Sequence, residues 1–110
     1  MQLAGFQRKH LKGLAHGLKP IVFVGKEGLT DPVHDAVEEA LLGHELIKVR
    51  FLDFKDQRKD LAEKLAKKSQ SALVGMIGHL AILYRPHPEP EHRRVELPTK
   101  KDKKEKKKDK

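Results

Sequence analysis

The stretch Ile21-Val22-Phe23-Val24-Gly25-Lys26-Glu27-Gly28-Leu29-Thr30-Asp31-Pro32 decides the fold. Its first four residues are apolar and mostly β-branched, the pattern of a short buried strand. Its last four read as a helix start, with Asp31 as the expected N-cap and Pro32 at the first helical position, where a missing N–H costs nothing. Between them, two glycines flank Lys26 and Glu27. A strand that turns through glycine into a helix is half of an α/β unit. The helix start offers unpaired amides and the positive end of a dipole, Lys26 adds a cation, and glycine allows close approach, so the expected ligand is a phosphate. A bare G-x-x-G also serves turn geometry alone. The nucleotide loops do not fit, since neither G-x-x-x-x-G-K-[ST] nor G-x-G-x-x-G is present. A nucleic-acid backbone is therefore favoured over ATP or NAD.

Working outward, residues 3–16 read as a helix. Leu3, Leu11, Leu14 and Ala15 share one face with Phe6 at its margin, and Gly17 is the expected stop. Arg8, Lys9, Lys12 and His16 gather on the other face, followed by Lys19. A solvated face is the commoner meaning of such a stripe, but no acidic residue occurs before Glu27. An all-cationic face repels itself unless something anionic lies across it.

After the turn, Pro32 to about Leu42 reads as a second helix. Val33, Ala36, Val37, Ala40 and Leu41 face the core, His34, Asp35, Glu38 and Glu39 face outward, and Gly43 ends it. Leu46–Phe51 alternates as a strand, with Ile47, Val49 and Phe51 on one face and Leu46, Lys48 and Arg50 on a face read as wet or reserved for a polar partner. Asp56 is the expected cap of a third helix to about Ser69, whose apolar strip is Leu61, Ala62, Leu65 and Ala66. Residues 72–77 and 80–84 read as two strands joined at Gly78-His79 by a hairpin. Pro86, Pro88 and Pro90 then mark the domain edge. The order αβαβαββ predicts a small mixed four-stranded sheet packed with three helices. Strand order does not follow.

The 110 residues favour one domain. The formal charge is +8, and residues 99–110, with eight lysines against three acids, supply +5 of it. The preceding 98 residues are thus only mildly basic, so a binding face there must come from local arrangement. We expect a folded domain over 1–97 and a disordered lysine-rich tail over 98–110. The tail either adds salt-sensitive attraction to phosphates or only solubilises. No cysteine is present, which removes disulfides and thiolate sites and fits a reducing cytosol. No apolar run reaches the length of a membrane span, and no secretory signal is expected. The histidines lack zinc-site spacing, and Ser69 and Ser71 lack a nucleophile setting, so no catalytic constellation, metal or cofactor is expected. Phe6, Phe23, Phe51, Phe54 and Tyr84 mostly read as core, and the signature of a base-stacking sheet is absent.

Three stretches together, residues 14–30, His44-Glu45-Leu46-Ile47-Lys48-Val49 and Gly78 to Leu83-Tyr84-Arg85, resemble the CRM domain in its bacterial stand-alone, YhbY-type form, over about residues 2–86. The resemblance implies a fold similar to the C-terminal domain of translation initiation factor 3. It implies RNA binding with the G-x-x-G loop at the RNA surface. For bacterial members it implies a link to precursors of the large ribosomal subunit. Carried to this chain, Gly25, Lys26, Glu27 and Gly28 form the loop, and Arg8, Lys9 and Lys12 fit the same surface. Lys19, Lys48 and Arg50 complete the candidate RNA-binding set. The expected protein is a cytoplasmic, monomeric, non-enzymatic RNA-binding protein whose partners are precursor ribosomal RNA and the pre-ribosomal particle. The other readings are a KH-like RNA-binding module, whose loop joins two helices, and a protein-interaction domain using the acidic second helix.

Overall fold

The structure is a computed structural model that describes residues 2–99; the lysine run expected as a disordered tail lies outside the described residues from Lys100 on. The elements are α1 (Gly5–Ala15), β1 (Val22–Val24), α2 (Asp31–His44), β2 (Leu46–Phe51), a 3-10 turn at Lys55–Gln57, α3 (Arg58–Lys68), β3 (Ala72–Ile77), β4 (Leu80–Tyr84) and a 3-10 turn at Pro90–His92. The expected αβαβαββ order holds.

The sheet order is β1-β2-β4-β3. β1 and β2 are parallel, with Val22 opposite Val49 and Val24 opposite Phe51. β4 is antiparallel to both β2 and β3. The β3–β4 hairpin is thus placed with its second strand inward, and only the first crossover yields adjacent parallel strands. β1 lies at one edge of the sheet and β3 at the other.

The period-2 alternation of the strands supplies two cores. On one face Val22, Val24, Ile47, Val49, Phe51, Ala81 and Leu83 pack against Val37, Ala40 and Leu41 of α2 and Ala62, Leu65 and Ala66 of α3. On the other, Leu46, Ala72, Val74, Ile82 and Tyr84 meet Leu11 and Ala15 of α1, together with Leu3. Each fully buried Leu or Phe contributes about 1.5–3 kcal/mol, so both faces hold their helices by apolar burial. α1 packs on β2, β3 and β4.

Several local expectations are corrected. Thr30, not Asp31, caps α2: its hydroxyl accepts from Val33 N–H at 3.4 Å, and Asp31 becomes the first helical residue. Ala36 faces solvent, as does Leu14 on α1. Asp56 falls in the 3-10 turn that leads into α3. Gly17 does follow the end of α1 as expected, one residue past the His16 cap, but without a positive φ. α2 runs through Gly43 and stops at Glu45, which has φ +63° and donates its N–H to Leu41 O at 2.8 Å.

That left-handed glutamate is explained by its side chain. Glu45 is only 2% exposed. Its carboxylate accepts from the amides of His87 (3.0 Å), Val95 (3.0 Å) and Arg94. Backbone held at such a sparsely populated positive φ costs a non-glycine residue about 1–3 kcal/mol, whereas hydrogen bonds to a charged group contribute about 1.5–3 kcal/mol each. Three of them outweigh the backbone cost. They fasten residues 86–98 back onto the domain as a strap, with Val95 and Leu97 packed on the α1-side core and Gln7 Nε2 donating to Pro98 O at 3.0 Å. Burial pushes the Glu45 carboxyl up, but the three amides and nearby His87 prevail and hold it below its ordinary value.

Candidate functional site

The turn between β1 and α2 closes on itself. Gly28 N–H donates to Gly25 O at 3.0 Å and Thr30 N–H to Gly28 O at 3.0 Å. Gly28 has φ +78°, a region L side chains rarely adopt. It is buried, and a Cβ there would lie 3.7 Å from the Phe54 ring, so the turn rests on that ring. Phe54 is itself left-handed (φ +61°), with its N–H held by the Asp53 carboxylate at 2.7 Å. No atom lies within 4 Å of where a Gly25 Cβ would stand, leaving that side open.

Gly25, Lys26, Glu27, Gly28, Thr30 and Val33 line a shallow concavity of about 280 Å³. Lys26 and Glu27 are exposed at its rim. Among the described residues their two backbone amides have no hydrogen-bond partner. Gly28 N–H is consumed by the turn and Val33 N–H by the Thr30 cap, while among the described residues the Gly25, Leu29 and Asp31 amides join those of Lys26 and Glu27 in having no partner, and Lys26 Nζ adds a charged donor. Glu27 and Asp31 place carboxylates beside them and favour a ligand that meets the donors without crowding the acids.

The other candidate cations divide. Arg50 is exposed on the α1-side face of the sheet, directly opposite Phe23 of β1. Lys12 extends across the sheet to the far edge: its side chain lies over Gly75 of β3, where a Cβ would fall 2.5 Å from Lys12 Cε. It therefore belongs to the α1–β3 junction and is not beside the turn. Arg8 and Lys9 are exposed on α1, and Lys19 on the linker into β1.

Lys48 is a correction. The face expected to be wet is covered by α1 and its linker, and Lys48 is only 7% exposed. Its ammonium donates to Leu18 O at 2.8 Å and His16 O at 3.4 Å. Those carbonyls follow the end of α1, and the cation ties the linker down over β2 rather than meeting a ligand. Strand alternation alone could not show what element would cover it.

Phe23 is a correction of the opposite kind. Expected in the core, it is 50% exposed. Val22 and Val24 face α2, while α1 packs on β2, β3 and β4, and the side chain between them stays open. The signal was present in the alternation of a strand too short to be buried on both faces, and an apolar run hid it.

The acidic face of α2 is partly neutralised within the molecule. The Arg85 guanidinium pairs with Glu38 through both carboxylate oxygens and also donates to Ser69 O at 2.9 Å. This hydrogen bonding and charge hold the Glu38 carboxyl below its ordinary value. Ser69 and Ser71 are buried and share a 2.8 Å hydrogen bond, with Ser69 Oγ also donating to Leu65 O. Glu89, Glu91 and His92 cluster at the surface, where the 2.9 Å contact of His92 with Glu89 accounts for two of them. Among the described residues no helix is long and apolar enough to cross a membrane.

A mixed four-stranded sheet with helices on both faces, whose edge strand runs through a glycine turn into a helix, defines a class of small α/β domains. Comparison with known proteins narrows this. The chain belongs to the CRS1/YhbY (CRM) domain family, whose model matches residues 3–85. It is 43% identical over 91 residues to a Pseudomonas aeruginosa protein named "probable RNA-binding protein", covering 82% of this chain and 88% of the relative. It is 41% identical over 95 residues to a Haemophilus influenzae protein named "RNA-binding protein", covering 86% and 93%. A Staphylococcus aureus protein solved in solution, described as a candidate RNA-binding protein, superposes with a TM-score of 0.74 at 37% identity, covering 88% of this chain and all of that one.

Proposed function

We propose that this protein binds RNA without catalysing a reaction, and that its target is precursor ribosomal RNA of the large subunit, whose assembly it assists in the cytoplasm as a monomer. The observation that carries the binding is the Gly25–Gly28 turn: Lys26 and Glu27, whose backbone amides have no partner among the described residues, line one shallow concavity together with both glycines. Backbone amides and a cation grip a phosphate without reading sequence. Relatives that share most of the chain are named for RNA binding, and the ribosomal target follows from the resemblance to YhbY-type proteins. The KH-like reading loses ground because the loop here joins a strand to a helix. The protein-interaction reading loses ground because Arg85 already occupies Glu38 on the acidic helix.

The test is ultraviolet crosslinking of the full-length protein in growing cells, followed by sequencing of the attached RNA. Enrichment of unprocessed large-subunit rRNA over its mature form is the expected result. Recovery of messenger or transfer RNA in proportion to abundance would remove the ribosomal assignment. Recovery of no RNA would remove the function itself.

A further inference from the structure

Beyond the turn, the sheet carries a row of side chains that no element covers. Cross-strand register places Phe23 opposite Arg50, Arg50 opposite Leu80, and Leu80 opposite Ile77. Opposed residues point to one face, so these four form a single line across all four strands on the α1 side. With neighbouring strands about 4.8 Å apart, the line is about 14 Å long. Phe23 is 50% and Ile77 49% exposed, Arg50 is exposed, and Leu80 is partly so. The packing of α1 stops short of this row, at the level where Lys12 crosses Gly75. Scattered exposed apolar residues need no explanation. A contiguous row with an aromatic ring at one end, a guanidinium next to it and a lysine alongside is a different object.

The row is continuous with the turn. Phe23 stands two residues before Gly25, about 7 Å along an extended strand, the scale that separates a nucleotide's phosphate from its base. We propose that Phe23, flanked by Arg50, is a stacking platform for an unpaired nucleobase of the strand whose phosphate occupies the Gly25–Gly28 turn. This rests on the RNA-binding reading and refines its ligand class to single-stranded rather than fully paired RNA. An aromatic face accepts any base, and a guanidinium adds cation–π and phosphate attraction. Charge decides the occupant: the cations Arg50, Lys12 and Lys26 surround an apolar strip, which suits a polyanion carrying flat apolar bases better than an apolar protein face.

The test uses the full-length protein with two labelled probes: a mixed-sequence single-stranded oligoribonucleotide, and the same strand annealed to its complement. The wild type is expected to prefer the single strand. Phe23→Ala is expected to weaken single-strand binding about five- to a hundred-fold, with little effect on the duplex and with unchanged circular dichroism. Phe23→Trp introduces the chain's only tryptophan. It should keep the affinity, and its emission should be quenched as RNA is added. Wild-type affinity in Phe23→Ala, or unquenched emission from Phe23→Trp with RNA bound, overturns the platform and leaves the RNA reading standing. Absence of wild-type binding to either probe overturns both. A shift of the free protein from dimer to monomer in Phe23→Ala would reassign the row to contact between copies of this chain.

Discussion

The two glycines of the turn carry different duties, and substitution separates them. Gly28 holds φ +78° with Phe54 at ordinary contact distance, so an added methyl meets no clash and the cost is backbone strain alone. Gly28→Ala should lose about 1–2 kcal/mol of stability, read as a lower urea midpoint at unchanged slope. Gly25 has no positive φ and open space around it, so Gly25→Ala should leave the midpoint in place. Its methyl would project toward the ligand side, and any effect should appear in RNA binding. Equal destabilisation by both substitutions would contradict this division. Lys26 is the cation we assign to the proposed site. Lys26→Ala should weaken RNA binding at low salt and make the dependence of log K on log salt shallower by about 0.7, the worth of one phosphate contact on a single strand. An unchanged slope would place the phosphate elsewhere.

At the scale of elements, type and order were legible because the hydrophobic period changes cleanly from 3.6 to 2 along the chain, and the glycine turn announced itself between a β-branched run and a proline. Strand order was not legible, because either strand of the β3–β4 hairpin satisfies the same alternation. The coverage of each face was not legible either: Lys48 and Phe23 exchanged expected places because α1 packs on β2, β3 and β4 and leaves Phe23 of β1 half exposed. The strap was hidden for a related reason, since nothing local marks Glu45 as the acceptor for amides more than forty residues away. That acceptor yields a pH prediction. The folded-state pKa of Glu45 is lowered, so the native state binds fewer protons than the unfolded one. Its contribution to stability is fully present above the ordinary glutamate value of about 4.3 and decays as pH falls through the lowered folded value. The amide proton resonances of Arg94 and Val95 should move together in that acid window. In Glu45→Gln they should sit near the released position at neutral pH, with a loss of about 2–3 kcal/mol. Resonances insensitive to acid would show that the strap is held by Val95 and Leu97 packing alone.

For the whole molecule, charge and shape are divided between two parts. The formal charge of +8 is mostly carried by residues 100–110, while the rest of the chain amounts to +3. A mildly basic domain cannot hold a polyanion by bulk field at physiological ionic strength, where the Debye length is about 8 Å. It depends on where its donors stand. A lysine run attracts any phosphate chain and discriminates among none. The two parts should therefore fail differently. Deleting residues 100–110 should reduce affinity most at low salt and make the salt dependence shallower. It should leave intact the ratio of affinities between a single-stranded RNA and its duplex, because on our reading that preference is set by the sheet row beside the turn. Phe23→Ala in the full-length chain should have the reverse signature: a smaller change in salt dependence, but a ratio moved toward one. Competition binding at two salt concentrations measures both quantities for the same preparations. If deletion of the run erased the ratio while Phe23→Ala preserved it, recognition would belong to the lysines and the folded domain would be their carrier.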